Sequence, residues 1–450
     1  MSTRTSDNFL PEVKDQYEAL PYPAVNPEDE RKRLAQTWLE DLPMINHYCF
    51  AGKQSFRHGF RALLAGGGTG DATIFLAEQL RKTDAQVVHL DLSQASIAIA
   101  QERARIRGLT NIRCVHASLL DLPTLDLGRF DYIGCSGVLL HLADPDAGLR
   151  ALRGVLKPDG AIGLMVYGTT GRTGVYQMQA LMRLVNGPQQ DMQRKIANTR
   201  DLLASLPPSN WFRRGEELHS DHKAGDAGIY DLLLHSRDRS YSVGELFDWL
   251  EGSADKPGHG LHLEFTDVQR GRSPYLPHMV LGSKPPAMAY QLRQLPRRRQ
   301  YEIAELLIGN LITHSMYVTR SAGCTALYGD AQTIPFLFHE PLTGEILARV
   351  FAASRGLPFV MQHEHSGVAV TVNPGRYSPQ ILRLIDGKRS FAEIFEQFRA
   401  QWHGKAAAPD NAVLFADFAD AYETLNALDR LLLRHPLADA IDQAPPAQPG

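Results

Sequence analysis

The feature that most constrains the fold is residues 63–91, where an apolar run, a glycine-rich turn, a helical pattern and a second apolar run follow one another. Residues 62–65 have the length and content of a buried strand. The glycines of residues 66–70 then let the backbone turn tightly. A helical spacing of apolar residues follows, and residues 87–90 predict a second strand ending at Asp91. The pattern predicts one βαβ half of a doubly wound nucleotide-binding fold.

This geometry has a chemical consequence. A helix N-terminus and free loop N–H groups favour a carboxylate or a phosphate, and an acid beyond the second strand can accept both hydroxyls of a ribose. Many strand–helix turns carry glycine for packing alone. Asp91, which lies 21 residues after Gly70, is what favours a nucleotide-type site over a purely structural turn.

Composition narrows the class of protein. A chain of 450 residues is expected to form two or three domains. Its formal net charge of −3 gives no reason to expect a nucleic acid or an anionic membrane as partner. The four cysteines are far apart, without the spacing of a zinc or redox motif, which favours a reducing cytoplasm. No apolar stretch is long enough for a membrane span, and the N-terminus has no secretory pattern.

The alternation of strand and helix patterns defines the organisation. Residues 1–54 predict an N-terminal arm, with Pro21 and Pro23 keeping it extended, and a helix from Pro27 to about residue 42. Residues 55–285 predict a largely parallel sheet covered on both faces. Closing strands are predicted at residues 260–265 and 277–282, and residues 168–260 form an insertion suited to an acceptor lid. Residues 290–435 predict a separate, largely helical domain, and residues 436–450 a disordered tail.

At this point the sequence resembles the class I S-adenosylmethionine-dependent methyltransferases over about residues 55–285. Residues 66–70 match the first motif of that family, and Asp91 matches the acid that binds the ribose. Residues 135–141, CSGVLLH, match the motif of the fourth strand, and residues 156–160, LKPDG, the turn before the fifth. The resemblance implies a Rossmann-like, doubly wound α/β sheet of seven strands with a separate α+β C-terminal domain.

The resemblance also implies the cofactor and its contacts. The cofactor is S-adenosyl-L-methionine, and the implied binding residues are Gly66, Gly68, Thr69, Gly70, Asp91, Leu92, Ser118, Leu119, Ser136 and Gly137. No metal is expected.

Two positions depart from the family pattern. Leu64 stands where an acid usually precedes the glycines, and Ser118 stands where an acid usually contacts the adenine. Each lost contact is worth on the order of 1 kcal/mol, so affinity falls while the shape of the site survives. A closer likeness is to a bacterial branch with AGCGTG-type loops. Residues 381–390 resemble PqqD-like winged-helix modules and the regulatory domains of some protein methyltransferases.

The candidates for the acceptor side are His141, Tyr22 and Tyr167. A general base is needed only if the acceptor starts protonated. For His141 a hydrogen bond to the backbone is the alternative to a role as base, and for Tyr167 the alternative is packing. His235 lies four residues after Asp231, a spacing that also fits a contact on one helix face.

A metal site at residues 363–365, HEH, is a weak alternative because no third ligand follows from the sequence.

Three functions are consistent with these residues. The first is methyl transfer to a small molecule, and the second is methylation of a protein or peptide recognised by residues 290–435. The third is a non-catalytic, cofactor-binding regulatory protein, suggested by the two altered acids. A homodimer is left open.

Overall fold

The structure is a computed structural model that describes residues 9–187, 190–267, 270–282, 286–338, 342–362, 369–404 and 406–438. The predicted tail beyond residue 438 and the HEH segment at 363–365 lie outside these residues. None of the helices in the described ranges is both long and apolar enough to cross a membrane.

A single twisted sheet organises the first three quarters of the chain. Its strands are β1 (Arg61–Ala65), β2 (Gln86–Asp91), β3 (Ile112–His116), β4 (Phe130–Ser136), β5 (Leu156–Gly168), β6 (Ser240–Tyr241), β7 (His262–Thr266) and β8 (Thr313–Thr319). The order across the sheet is β3-β2-β1-β4-β5-β8-β7, and the short β6 pairs with β5 near its end. The first five strands are parallel, while β8 is antiparallel to both β5 and β7.

Alternating apolar residues explain why the sheet is covered on both faces. In β1, Leu63 and Ala65 belong to one buried cluster, and Ala62 and Leu64 belong to another on the opposite face. A strand whose both faces are buried is typical of a parallel sheet between helices. The predicted doubly wound fold is confirmed.

The last strand of the sheet differs from the prediction. The strand expected at residues 277–282 is wrong, since Pro277–Val280 is a helical turn. The last strand of the sheet along the chain is β8, which lies beyond the boundary expected at residue 285 and enters the sheet between β5 and β7. Residues 157–160, expected to be a turn, belong to the continuous strand β5, with a register shift between Phe130 and Tyr132.

The N-terminal segment also differs. It begins with helix α1 (Pro11–Ala19), where an extended arm was expected. Asn26 does cap a helix, but this is a short 3-10 segment, Pro27–Arg31, so the helix expected to reach residue 42 is wrong. The next helix, α2 (Leu42–Cys49), is buried along its whole length. The apolar residues after Arg31 do have a helical spacing, but the Trp38 indole donates to Thr266 and the Leu39 carbonyl accepts from Tyr132, so tertiary contacts replace the helix here.

Helices cover the sheet and build the insertion. Three of them connect the parallel strands: α3 (Asp71–Gln79), α4 (Gln94–Arg107) and α5 (Pro145–Val155). The insertion after β5 holds α6 (Thr173–Val185), α7 (Met192–Ser205), α8 (Trp211–Arg214), α9 (Asp226–Ile229) and α10 (Val243–Leu250). One turn of π-helix, Tyr230–Leu234, follows α9 directly. Between the insertion and β8 lie α11 (Pro277–Val280), α12 (Ala289–Leu292) and α13 (Arg297–Ile308).

The C-terminal region is a helical module with two small sheets. Its helices are α14 (Gly344–Ala353), α15 (Ser378–Leu384), α16 (Phe391–Ala400) and α17 (Asn411–Ala427). Its strands are β9 (Ile334–Leu337), β10 (Phe359–Gln362), β11 (Ala369–Val372) and β12 (Leu431–Arg434), which pair as β9 with β12 and β10 with β11. Ser390 forms the capping box of α16. Helix α17 ends at Ala427, and the chain continues into β12.

A buried polar contact joins this module to the sheet. Asp429 accepts hydrogen bonds from the hydroxyls of Tyr48 on α2 and Thr266 on β7, the latter at 2.9 Å. His47 adds a second link, because its Nδ1 accepts from the Leu433 amide at 3.0 Å. The C-terminal module therefore packs on the same elements that close the sheet.

Gly271 allows this close approach. Its φ is +57°, and a Cβ there would lie 2.5 Å from the Ala427 carbonyl oxygen. Gly260 has a similar φ of +59°, but a Cβ there would meet no atom within 4 Å.

We expect Gly271→Ala to lower the free energy of unfolding by about 2–3 kcal/mol, because it adds a clash to the strained backbone. Gly260→Ala adds no clash and leaves only the strain of a side chain at positive φ, so it should lower the free energy of unfolding by about 1 kcal/mol. Equilibrium urea unfolding measures both. Equal losses in the two variants would show that the approach of residue 427 to Gly271 is not what requires glycine.

Candidate active site

The glycine loop lies between β1 and α3 at the carboxyl edge of the sheet. Gly66, Gly68 and Gly70 have φ values of +74°, +53° and +104°. A Cβ at Gly66 would lie 2.4 Å from a methyl group of Val138, and one at Gly68 would lie 2.8 Å from the Tyr22 carbonyl oxygen. The protein's own packing therefore requires these glycines. In particular, the N-terminal segment lies directly on the loop.

Asp91 ends β2 beside this loop. Its Oδ2 accepts from the Gly68 amide at 2.7 Å, and its Oδ1 accepts from the Ser93 amide at 2.8 Å. Burial raises the pKa of Asp91, while these two amide hydrogen bonds lower it. Each carboxylate oxygen has a second acceptor position, so the arrangement fits a ribose whose hydroxyls both donate. The same carboxylate also fixes the loop.

The other residues expected at the cofactor have different surroundings. The Thr69 hydroxyl donates to the Pro23 carbonyl at 2.8 Å, and the residue is fully buried, so its side chain holds the N-terminal segment. Ser118 is buried and its hydroxyl accepts from the Leu120 amide at 3.2 Å. Leu119 is buried, and Leu92 follows directly after Asp91.

The fourth-strand motif reaches the same edge. Ser136 is the last, exposed residue of β4, and Gly137 follows it with φ +69°. The Gly137 amide donates to the Met165 carbonyl at 3.0 Å, which ties this turn to β5.

A buried acid lies next to Leu64, the position at which the family pattern has an acid. A Cβ at Gly134 would lie 2.5 Å from Leu64 Cδ1 and 2.8 Å from Glu40 Oε1. Burial raises the pKa of Glu40 to about 7. No sequence pattern indicates this residue, because the contact joins segments that are far apart in the chain.

Two of the three predicted acceptor-side residues meet near the ends of β4 and β5. The rings of His141 and Tyr167 have centroids 6.0 Å apart. His141 is 6% exposed, in the short turn after β4. Tyr22 contacts the insertion, where its hydroxyl donates to Asp221 Oδ1 at 3.0 Å.

Tyr17, Asp231 and His235 complete this cluster. The Tyr17 hydroxyl donates to Asp231 Oδ1 at 2.9 Å and lies 3.4 Å from His235 Nε2. The His235 ring stacks on His141 with centroids 3.9 Å apart. Asp231 and His235 are thus joined through Tyr17, which extends the helix-face contact suggested by their spacing. We call Tyr17, Tyr22, His141, Tyr167, Asp231 and His235 the acceptor-side cluster.

The backbone of one residue, Arg237, sets the protons of the two histidines. A carbonyl oxygen only accepts, so His141 carries its proton on Nδ1, 2.8 Å from the Arg237 carbonyl. An amide N–H only donates, so His235 Nδ1, 3.1 Å from the Arg237 amide nitrogen, is an acceptor. The neutral His235 therefore carries its proton on Nε2, facing Tyr17, and the neutral His141 keeps a lone pair on Nε2.

Burial keeps the neutral forms of these groups. It lowers the pKa of both His141 and His235. It raises the pKa of Tyr17 and Tyr167 well above their usual range. Burial also raises the pKa of Asp231 to about 7, while the hydrogen bond from Tyr17 lowers it. Asp231 is therefore the member of the cluster whose charge changes near neutral pH.

Arg172 supports the cluster from the insertion. It forms a buried ion pair with Asp238 at 2.9 Å, and its guanidinium lies 3.6 Å from the centroid of the Tyr167 ring. This contact fixes Tyr167. Sequence reasoning missed Arg172 because neither it nor Asp238 belongs to a motif.

The cluster contains a group that could hold a metal ion. The ligand atoms of His141, Asp231 and His235 lie within 4.8 Å of one another. A metal-bound histidine donates its other N–H to an acceptor. His141 meets this requirement, but His235 accepts at Nδ1 and carries its proton on Nε2. The hydrogen bonds therefore suit proton transfer better than metal binding.

With this geometry described, comparison with known proteins gives the class. The family described as "Methyltransferase domain" matches residues 63–162. The solved structure of PKMT2 from Rickettsia typhi in complex with AdoHcy superposes with a TM-score of 0.56 at 15% identity, covering 89% of this chain and 76% of that one. At that identity the likeness shows the fold alone. Fold and site together define a class I methyltransferase.

Relatives among curated proteins extend this result. An uncharacterised protein of Synechococcus is 31% identical over 319 residues, 70% of this chain and 73% of its own length. The ubiquinone/menaquinone biosynthesis C-methyltransferase UbiE of Idiomarina loihiensis is 34% identical over 107 residues, 24% of this chain and 42% of that enzyme. The chain belongs to the same family as the Synechococcus protein, within the S-adenosylmethionine-dependent methyltransferases.

Asp91 gives a direct test of the cofactor site. We expect Asp91→Asn to weaken binding of S-adenosylmethionine by about tenfold to a hundredfold, since a hydrogen bond to a charged group is worth about 1.5–3 kcal/mol. Asp91→Ala should abolish detectable binding, because it also leaves the Gly68 and Ser93 amides without their acceptor. Isothermal titration calorimetry measures both.

Asp159→Asn is the matched control, because Asp159 is exposed at the amino end of β5, away from the loop. It should bind as the wild type does. An unchanged affinity in Asp91→Ala would contradict the assigned position of the ribose.

Proposed function

We propose that this chain transfers the methyl group of S-adenosylmethionine to a small-molecule acceptor held at the acceptor-side cluster. The observation that supports this most strongly is the convergence of three separate segments on one point. These are the N-terminal arm with Tyr17, the turn after β4 with His141, and the insertion with Asp231 and His235.

The position of the cluster supports a role in the reaction. In open α/β sheets ligands bind beyond the carboxyl ends of the strands. His141 follows the carboxyl end of β4, and Tyr167 is next to last in β5. The Tyr22 backbone lies on the glycine loop while its side chain reaches the insertion. Cofactor loop and cluster are therefore neighbours.

Burial favours a small acceptor. His141, Asp231 and His235 are between 1% and 6% exposed, and Tyr17 and Tyr22 are partly covered. An acceptor group that reaches these side chains must be narrow and must displace water. Excluding water and aligning the reactants are the main contributions expected for this chemistry.

S-adenosylmethionine supplies an electrophilic methyl group on a sulfonium sulfur, which leaves as a neutral thioether with the electrons of the broken bond. An acceptor that begins as a hydroxyl must lose its proton as the new bond to carbon forms, and an ammonium must lose one beforehand, because it has no lone pair. His141 Nε2 holds the available lone pair, since its Nδ1 proton is fixed on the Arg237 carbonyl. We assign His141 as the general base.

Asp231 stabilises the product of that proton transfer. A buried imidazolium needs a negative charge nearby, and ligand atoms of Asp231 and His141 lie within 4.8 Å of each other. Tyr17 orients this carboxylate. Asp231 and Tyr17 are accordingly positioning residues.

Labelling in extracts tests the proposal as a whole. Purified protein and S-adenosylmethionine carrying an isotopic label in the methyl group are added to an extract of a strain that lacks the protein. We expect the label in the low-molecular-weight fraction, and the Asp91→Ala variant serves as control. Label confined to protein would support the peptide-methylating alternative, and no transfer despite cofactor binding would support the non-catalytic one.

The pH profile tests the two assigned roles. Asp231 has a pKa raised to about 7, so its charge is lost as the pH falls through that value, and kcat/KM should fall with it. Because burial lowers the pKa of His141, its lone pair remains available throughout this range.

We therefore expect Asp231→Asn to remove the fall in kcat/KM near pH 7. His141→Gln should lower kcat by about 10²–10⁴ and should also remove this fall, because no imidazolium remains for Asp231 to stabilise. Initial rates between pH 5.5 and about 9 measure this. A limb near pH 7 that persists in Asp231→Asn would contradict the role of Asp231.

A further inference from the structure

A cavity lies between the sheet and the C-terminal module, away from the acceptor-side cluster. Its volume is about 400 Å³, within the range of small-molecule sites. β7, β8 and the segment 321–328 form one side, while Tyr48 of α2 and Tyr422 and Asn426 of α17 form another. We call it the interdomain cavity.

Strand register separates this cavity from the acceptor-side cluster. β8 is antiparallel to β5, so Tyr167 pairs with Thr313 while Ala161 pairs with Thr319. Thr319 and its other partner His262 line the cavity. The interdomain cavity therefore lies at the amino edge of the sheet, and the glycine loop, Asp91 and Tyr167 lie at the carboxyl edge.

Two stacked tyrosine pairs line the walls. Tyr48 stacks on Tyr317 with centroids 5.4 Å apart, and Tyr328 stacks on Tyr422 with centroids 4.2 Å apart. The hydroxyls of Tyr317 and Tyr328 donate to the backbone carbonyls of Leu39 and Phe415. Because these hydroxyls are already bonded elsewhere, the pairs offer mainly aromatic surface, which suits an apolar or aromatic body.

Arg272 brings an incompletely bonded cation to the same cavity. Its Nη2 donates to Asn426 Oδ1 at 2.7 Å, but its Nε is buried without a hydrogen-bond partner. No ion pair joins Arg272 to a carboxylate among the described residues. The two acids whose charges act on it, Glu264 and Asp429, already have other partners. Glu264 is paired with Arg297, and Asp429 accepts from Tyr48 and Thr266.

Glu264 brings the complementary group. Its Oε1 pairs with Arg297 at 2.5 Å, while its Oε2 is buried and has no partner in the described part of the chain. Glu264 and Tyr317 are direct cross-strand partners on β7 and β8, so this carboxylate lies beside the aromatic wall. A buried polar atom without a partner is rare in a folded protein. Here an unpaired donor and an unpaired acceptor line one cavity.

We infer that the interdomain cavity binds a free amino acid with an aromatic or large apolar side chain. Its carboxylate bonds Arg272, its ammonium bonds Glu264, and its side chain packs on the tyrosine rings. A guanidinium with free N–H groups matches a carboxylate, and a carboxylate oxygen accepts from an ammonium. The ligand contacts both the sheet and the C-terminal module, at the edge of the sheet opposite the methyl-transfer site.

Three probes that differ by one charged group test this inference. Isothermal titration calorimetry on the full chain is carried out with L-phenylalanine, with 3-phenylpropionate, which lacks the ammonium, and with 2-phenylethylamine, which lacks the carboxylate. A thermal-shift screen of the other aromatic and large apolar L-amino acids precedes it. We expect one amino acid of this group to bind at one site, and each analogue lacking a charge to bind at least tenfold more weakly.

Variants connect the binding to the cavity. Arg272→Met should abolish binding of the amino acid. Glu264→Gln should weaken the amino acid at least tenfold and leave 3-phenylpropionate unchanged, a difference that mere loss of stability would not produce. Asp91→Ala, which removes the cofactor site, should leave amino acid binding unchanged.

Several results would overturn the inference. They are the absence of binding by every amino acid of the group at millimolar concentration, wild-type affinity in folded Arg272→Met, and equal losses for both probes in Glu264→Gln. Loss of amino acid binding in Asp91→Ala would assign the binding to the methyl-transfer site instead. None of these results depends on the methyl acceptor, so the inference and the proposed function fail independently.

Discussion

The carboxylate of Asp91 is the contact on which the cofactor site depends. It accepts from the amides of Gly68 and Ser93 and so holds the loop after β1 and the turn after β2 in a fixed relation. Two parallel strands alone would leave these turns free to move apart. The family pattern assigns this acid to the ribose, and the structure adds that the same acid organises the loop. The contact that the family pattern assigns to the ribose and the geometry of the loop thus depend on one side chain.

The acceptor side is built on a different principle, in which the chain brings distant segments together. Tyr17 and Asp231 are 214 residues apart, and His141 and Arg237 are 96 residues apart. Arg237 uses both its backbone N–H and its backbone C=O on histidines, which gives the two stacked rings opposite tautomers. Backbone geometry therefore fixes which ring nitrogen of each histidine carries the proton, without any additional charged residue.

Short sequence patterns predicted the features that depend on interactions between residues close together in the chain. The glycine loop, Asp91 and the parallel strands each follow from short spacings, and the structure has them. His141 was selected because it follows the end of β4, and Tyr167 because it lies near the end of β5. Tyr17, Asp231 and Arg172 acquire their surroundings only through contacts across the chain, so no spacing could assign them. Helix α1 buries only Gln16 and has no apolar stripe to predict it.

The error at β8 has the same origin. The prolines near residue 285 indicate the end of a domain, but the sheet is completed by residues 313–319 inserted between β5 and β7. Order in a sheet is a tertiary property, and a strand can enter between two earlier ones only after both exist.

This strand order has a consequence for the chain during synthesis. Until residue 319 has left the ribosome, β5 has seven residues, 161–167, whose edge lacks its partner, and β7 has no partner in the sheet. An exposed apolar edge of that length is a template for pairing with other chains. A fragment ending near residue 290 would keep this edge permanently, so shortened versions of the protein should aggregate where the full chain does not. The C-terminal part of the sequence thus covers the exposed edge of the sheet before it takes part in any binding.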